Sequence, residues 1–249
     1  MSTMLALLLV LFLLMIVVGG RAGVKSYLSI VINFMLVFLV ALLISWGANI
    51  WLTAACFIPL KLLTIIYLGT HDTKIADHAF LSSFSVTAII VVIILIFNHF
   101  AQAFGIGDQA GEDLIGLSDA PGISFAAIGV VVAIFSTLGA ISEAAVAESA
   151  GLLELKNSNE TISSANFYQS GLNIGEDILG TAVNTILFGF FGSFLALFIW
   201  YSRLHYTIPQ ILNDKLFVQE FVIMIYSIIG VLLVIPLTTL IISRSKMKK

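Results

Sequence analysis

Charge is scarce in this sequence. Asp, Glu, Lys and Arg together make up 10% of the 249 residues, against 60% hydrophobic ones. A soluble domain carries about 25% charged residues, and with a mean hydropathy of +1.12 the chain does not fit that class. Prolines number four, and no Gly/Ser/Pro-rich linker divides the chain. A single domain over 1–249 is expected. The one cysteine, Cys56, excludes an internal disulfide and any thiolate metal cluster. His71, His78, His99 and His205 are scattered, with no HxxxH or HxH spacing, so no metal site is expected. HExxH, GxSxG and a phosphate-cradling glycine loop are also missing, which argues against an enzyme and against a bound cofactor. No basic surface supports nucleic-acid binding.

Long apolar runs are abundant. A bilayer-spanning helix needs about 20 mainly apolar residues, and seven segments meet that approximately: 3–20, 27–46, 49–69, 79–104, 123–150, 179–202 and 218–243. The fold class is therefore all-α, a polytopic transmembrane helical bundle of about seven spans in a lipid bilayer. No basic residue precedes the first run and no small-x-small cleavage site follows it, so it is expected to be retained as a span.

The basic residues orient the chain. Arg21, Lys25, Lys74, Lys156, Arg244, Lys246, Lys248 and Lys249 fall on alternate loops that share one side, and only Arg203 and Lys215 fall on the other. The positive-inside rule places the amino end outside and the "SRSKMKK" tail in the cytoplasm. The loop with Asp108, Glu112, Asp113 and Asp119 then lies outside, where solvated acids are expected. "KNSNETISSANFYQSGLNIGED", with Phe167, Tyr168, Leu172 and Ile174, is expected to be an interfacial helix before the sixth span. "RLHYTIPQILNDKLF" is expected to be its outer counterpart.

Against this apolar background a few polar residues stand out. In "LGAISEAAVAESAGLLEL", Gly139, Glu143, Ala147 and Gly151 recur every four residues and so share one helix face. Small residues there let another helix approach closely, which predicts that Glu143 points into the bundle. Glu148 lies about 140° around the same helix by the 3.6-residue period, near the cytoplasmic end. It is expected to be hydrated there. The sixth span carries Asp177, Thr181 and Thr185 every four residues, with Asn184 beside them, and counting inward places Asn184 level with Glu143. Lys61 falls near mid-bilayer, two residues after Pro59. Two readings of Lys61 and Glu143 stand on sequence alone. They form either a pair whose protonation switches, or a static salt bridge that fixes helix packing.

Three stretches carry a resemblance. "GRAGVKSYLSIVINF" and "LGTHDTKIADHAFLSSF" are similar to the second helix and the cytoplasmic turn of the YibE/F family. The third is "STLGAISEAAVAESAGLLEL" followed by "SGLNIGEDILGTAVNTI". It resembles the family's most specific motif pair, with Glu143 where the family commonly has aspartate. The resemblance runs from Gly20 to about Trp200 and is to the short, YibF-like type. It implies a multi-pass protein of the bacterial plasma membrane, assembled with a YibE-like membrane partner. Spans two to seven are also similar in pattern to one membrane half of RND and SecDF-type proteins. In those a buried carboxylate takes up and releases a proton, and the analogy implies a six-helix arrangement.

Two functions remain open from sequence. One is the membrane subunit of a secondary transporter, coupled to protons or cations through Glu143, Lys61 and Asn184, with Asp177, Thr181 and Thr185 as the supporting polar network. The other is a non-transporting assembly or anchoring subunit of a YibE/YibF membrane complex. The substrate is not legible.

Overall fold

The computed structural model describes residues 3–70, 72–105, 124–158 and 162–247. The four outer-loop acids and His71 lie outside the described residues. Among those described, the chain is a bundle of helices with no strand: α1 (Thr3–Ser45), α2 (Ile50–Gly69), α3 (Thr73–Ala101), α4 (Phe125–Ser158), α5 (Ser164–Arg203), the short α6 (Ile208–Asn213) and α7 (Lys215–Met247). All but α6 are long and apolar enough to cross a membrane.

The first two expected spans fall in one helical element, α1, broken at Gly20. Its φ of 54° and ψ of −131° lie outside helical space, in a region a β-carbon opposes. The break reverses the chain. Phe12 and Tyr27, which a straight helix would hold about 22 Å apart, bring their rings to 4.8 Å. Met15 lies directly against Gly23, which has no side chain to obstruct the crossing. α1 is thus two apolar segments folded back on each other at Gly20. The second is clamped to α2 by polar contacts: Ser29 Oγ donates to the Thr64 carbonyl (3.1 Å) and Thr64 Oγ1 to Asn33 Oδ1 (2.9 Å).

α4 is the central helix, packed against α2, α3, α5 and α7. Its buried residues, among them Val130, Ile134, Leu138, Ile141 and Ala145, join Leu62, Val86, Ile90 and Val234 in one apolar core. Two smaller clusters sit at opposite ends of the bundle. Leu152, Phe167 and Ile242 close one end, and Phe190, Tyr201, Phe217 and Met224 the other. Each end joins the finish of one helix to the start of the next, as antiparallel neighbours require.

Two expectations about the helix flanks change. The stretch expected as a separate interfacial helix is continuous with the sixth span, as the first turns of α5. Phe167 is not a membrane-surface contact, because it is wholly buried against α4 and α7. On the other flank α6 is short and surface-lying, with Ile208 and Leu212 exposed. Thr207 and Gln210 form a capping box at its start.

Candidate ion-coupling site

Glu148 is the most enclosed acid among the described residues, with no exposed surface. It shares the inward side of α4 with Ala144, Ala145, Ser149 and Leu152. The space it occupies exists because α5 presents glycines at 171 and 175, four residues apart on one face. A β-carbon on Gly171 would run into Leu152 and Thr239, and one on Gly175 would meet Ile235 and lie 3.4 Å from Glu148 Oε2. Glycine at these two positions lets α4, α5 and α7 close around the carboxylate.

One carboxylate oxygen is held. Thr239 Oγ1 on α7 donates to Glu148 Oε1 at 2.7 Å and also lies 3.0 Å from the Ile235 carbonyl. Oε2 is buried with no hydrogen-bond partner among the described residues. Among the described residues the hydroxyls of Ser149, beside Glu148, and of Ser83 and Thr87 on α3 are also buried without a hydrogen-bond partner. An unaccompanied carboxylate charge in an apolar interior costs several kcal/mol. The arrangement is chemically suited to holding the acid together with a proton or another small cation. The expectation that Glu148 is hydrated is therefore corrected. The side of α4 that carries Glu148 is the one on which α5 and α7 close together.

Glu143 lies on the exposed side of α4. It lines a cavity of about 180 Å³ between α4 and α5, with Ala140, Ala147, Ile178, Thr181 and Thr185. The expected stripe of small residues and the α5 threonines do meet, but they form an open groove rather than a closed interior. Both threonine hydroxyls bond back to their own helix, Thr181 to the Ile178 carbonyl (3.0 Å) and Thr185 to that of Thr181 (2.9 Å). Glu143 has no partner among the described residues. Asn184 and Asp177 are exposed, and Asn184 does not line the cavity.

Lys61 does not pair with Glu143. Its side chain is 7% exposed and its ammonium lies over the Phe135 ring, 4.9 Å from the centroid. Phe135 precedes Glu143 by eight residues, which is about 12 Å along α4 and about 80° around it. Lys61 and Glu143 thus meet α4 at different levels and on different sides. The ring face attracts the cation where no carboxylate is within ion-pair distance among the described residues.

The acid expected to point into the bundle, Glu143, is exposed, and the enclosed one, Glu148, lies on another face of the same helix. Two signals for the enclosed site were present in the sequence. The "SGLNIG" stretch puts two small positions four apart on α5, and "PLTTL" puts adjacent threonines inside an otherwise apolar span.

A family model described as YibE/F-like protein matches residues 7–248. No curated protein and no solved structure matches the chain, so the likeness to RND and SecDF-type arrangements gains no support from solved structures.

Proposed function

The chain belongs to the YibE/F family, and from that membership we propose that it is the membrane subunit of a secondary transporter coupled to proton or small-cation movement at Glu148. One observation carries this reading. Glu148 is fully enclosed, tethered through one oxygen to Thr239, and its other oxygen has no partner among the described residues. A static structural acid would be expected to have its lone pairs satisfied or a cation beside it. An acid that exchanges a bound proton or cation needs a free oxygen.

The setting of the reading is the bacterial plasma membrane, with the amino end outside, the carboxyl end in the cytoplasm, and a YibE-like chain as partner. The distribution of basic residues supports the orientation. Glu143, Thr181 and Thr185 form the secondary polar groove on the flank of the same helix pair. A non-transporting anchoring subunit is the second reading, favoured by the polar residues that α5 leaves exposed.

Flux measurements separate the two. The protein is purified in mild detergent with whatever co-elutes and reconstituted into liposomes containing a pH-sensitive dye. Proton or sodium gradients are then imposed. Ion-coupled flux in the wild type that is abolished by Glu148→Gln and retained by Glu143→Gln supports the coupling role. Flux that survives Glu148→Gln in folded protein removes it. An assembly that forms but passes no ion under either gradient leaves the anchoring reading.

A further inference from the structure

The groove between α4 and α5 combines features that lipid alone does not satisfy. Glu143 is near the midpoint of α4, exposed, and without a partner among the described residues. The groove around it is lined by Ala140, Ala147, Thr181 and Thr185. Gly139, one turn before Glu143, has nothing within 4 Å of where a side chain would begin. Almost none of the most apolar stretch of α5 is buried, against half of that of α4 and of α7. Yet α5 carries Asp177, Asn184 and Ser193 on exposed positions.

We propose that this groove is the docking surface for a transmembrane helix of a different membrane protein, one that brings a lysine or arginine to the level of Glu143. Charge complementarity selects the occupant. Lipid tails offer no donor at that depth, and a carboxylate facing them is costly. A helix with a basic side chain offers a cation and multiple N–H donors. The small residues at 139, 140 and 147 allow backbones to approach closely enough for that side chain to reach the acid.

A second copy of this chain does not meet the requirement. Among the described residues, Lys61 is the only lysine or arginine deep within a span, and it is buried against Phe135. The others stand toward helix ends or at the Gly20 reversal. The inference rests on the reading of this chain as a subunit of a membrane assembly and specifies the face and chemistry of the contact.

A synthetic transmembrane helix serves as the probe. One leucine–alanine helix carries a single central lysine, and its control carries norleucine at that position. The full-length chain, with Cys56→Ser and a donor dye on Ser158→Cys, is reconstituted with acceptor-labelled helix, and energy transfer is read as helix density rises. The lysine helix is expected to associate about tenfold more strongly than its control. That preference should vanish in Glu143→Gln and in Gly139→Leu, which adds bulk one turn from Glu143 at a position whose β-carbon meets nothing within 4 Å. It should persist in Glu148→Gln, so that failure of the ion-coupling reading and failure of this one are told apart. Equal association of the two helices with the wild type overturns the proposal, as does a lysine preference that survives Glu143→Gln. Efficient Ala147→Cys homodimer cross-linking at low protein density in the bilayer also overturns it, by placing a second copy in the groove.

Discussion

Thr239 and Glu148 are joined by a 2.7 Å hydrogen bond across 91 residues of sequence. The bond ties α7 to α4 at the level where Gly171 and Gly175 bring α5 closest to both. Bond and glycines are interdependent. The carboxylate reaches the hydroxyl only because α5 presents no side chain in the intervening space, and the tight three-helix contact leaves Glu148 no exposed surface.

Thr239→Val keeps the shape of the side chain and removes the donor. Both carboxylate oxygens are then buried without a partner, which should lower stability by about 1–3 kcal/mol. Glu148→Gln retains an acceptor at the same position and should unfold close to the wild-type temperature while losing flux. Thermal unfolding in detergent, followed by circular dichroism, reads both. An unchanged midpoint for Thr239→Val would mean that the bond contributes nothing to the bundle.

Gly175→Ala should be far more damaging than its single methyl suggests. The added carbon meets Ile235 and crowds Glu148 Oε2, and α5 must move away from α7 to admit it. A loss of about 1–3 kcal/mol is expected for such overpacking. Gly180→Ala on the same helix meets nothing within 4 Å and should be neutral or slightly stabilising, since alanine favours helix over glycine by about 1 kcal/mol. Equal unfolding temperatures for the two variants would contradict the close approach at Gly175.

Much of the architecture was legible because the bilayer constrains it. Twenty-residue apolar runs, their flanking charges and the stripe on α4 are all local patterns. The reversal within α1 was legible as two separate runs, although the helix continues on both sides of Gly20. The continuity of residues 164–177 with the sixth span was not legible. Polar sequence is equally compatible with an interfacial helix and with the hydrated first turns of a long one. The site was half legible. Four-residue spacing identified Glu143 and the α5 threonines as neighbours, but it does not say whether a third helix covers the face they share. Glu148 depends on α5 and α7 approaching from elsewhere in the chain, and helical periodicity carries no information about that. Lys61 shows the same limit, since counting from helix ends gave its depth but not the side of α4 it faces.

Lys61→Met should test the absence of the Lys61–Glu143 pair directly. Methionine keeps much of the apolar stem and removes a mostly buried ammonium whose one aromatic contact is worth about 0.5–2 kcal/mol. Removing the charge also removes its desolvation cost, so stability should hold or rise. Combined with Glu143→Gln, the two effects should add within about 0.5 kcal/mol, as expected of residues without a shared partner. A coupling energy well above that would restore the pair.

The α1 reversal makes a prediction about membrane passage. Gly20 holds a backbone conformation that costs other residues on the order of 1–3 kcal/mol, and Phe12 meets Tyr27 only while the chain is folded back there. In a Cys56→Ser background, Phe12→Cys/Tyr27→Cys should form a disulfide under mild oxidation. Adding Gly20→Val should reduce that yield several-fold without disturbing the core formed by α2, α3, α4 and α7, to which the first segment contributes no buried residue. The hairpin also bears on the proposed orientation of the helices after it. In the proposed orientation, which puts Arg21 and Lys25 in the cytoplasm at the turn, a cysteine at Ala48 should react with an impermeant maleimide added to intact cells. One at Ser158 should react only after the membrane is opened. Labelling of both positions from the same side would mean that α2, α3 and α4 do not carry the chain across the bilayer three times.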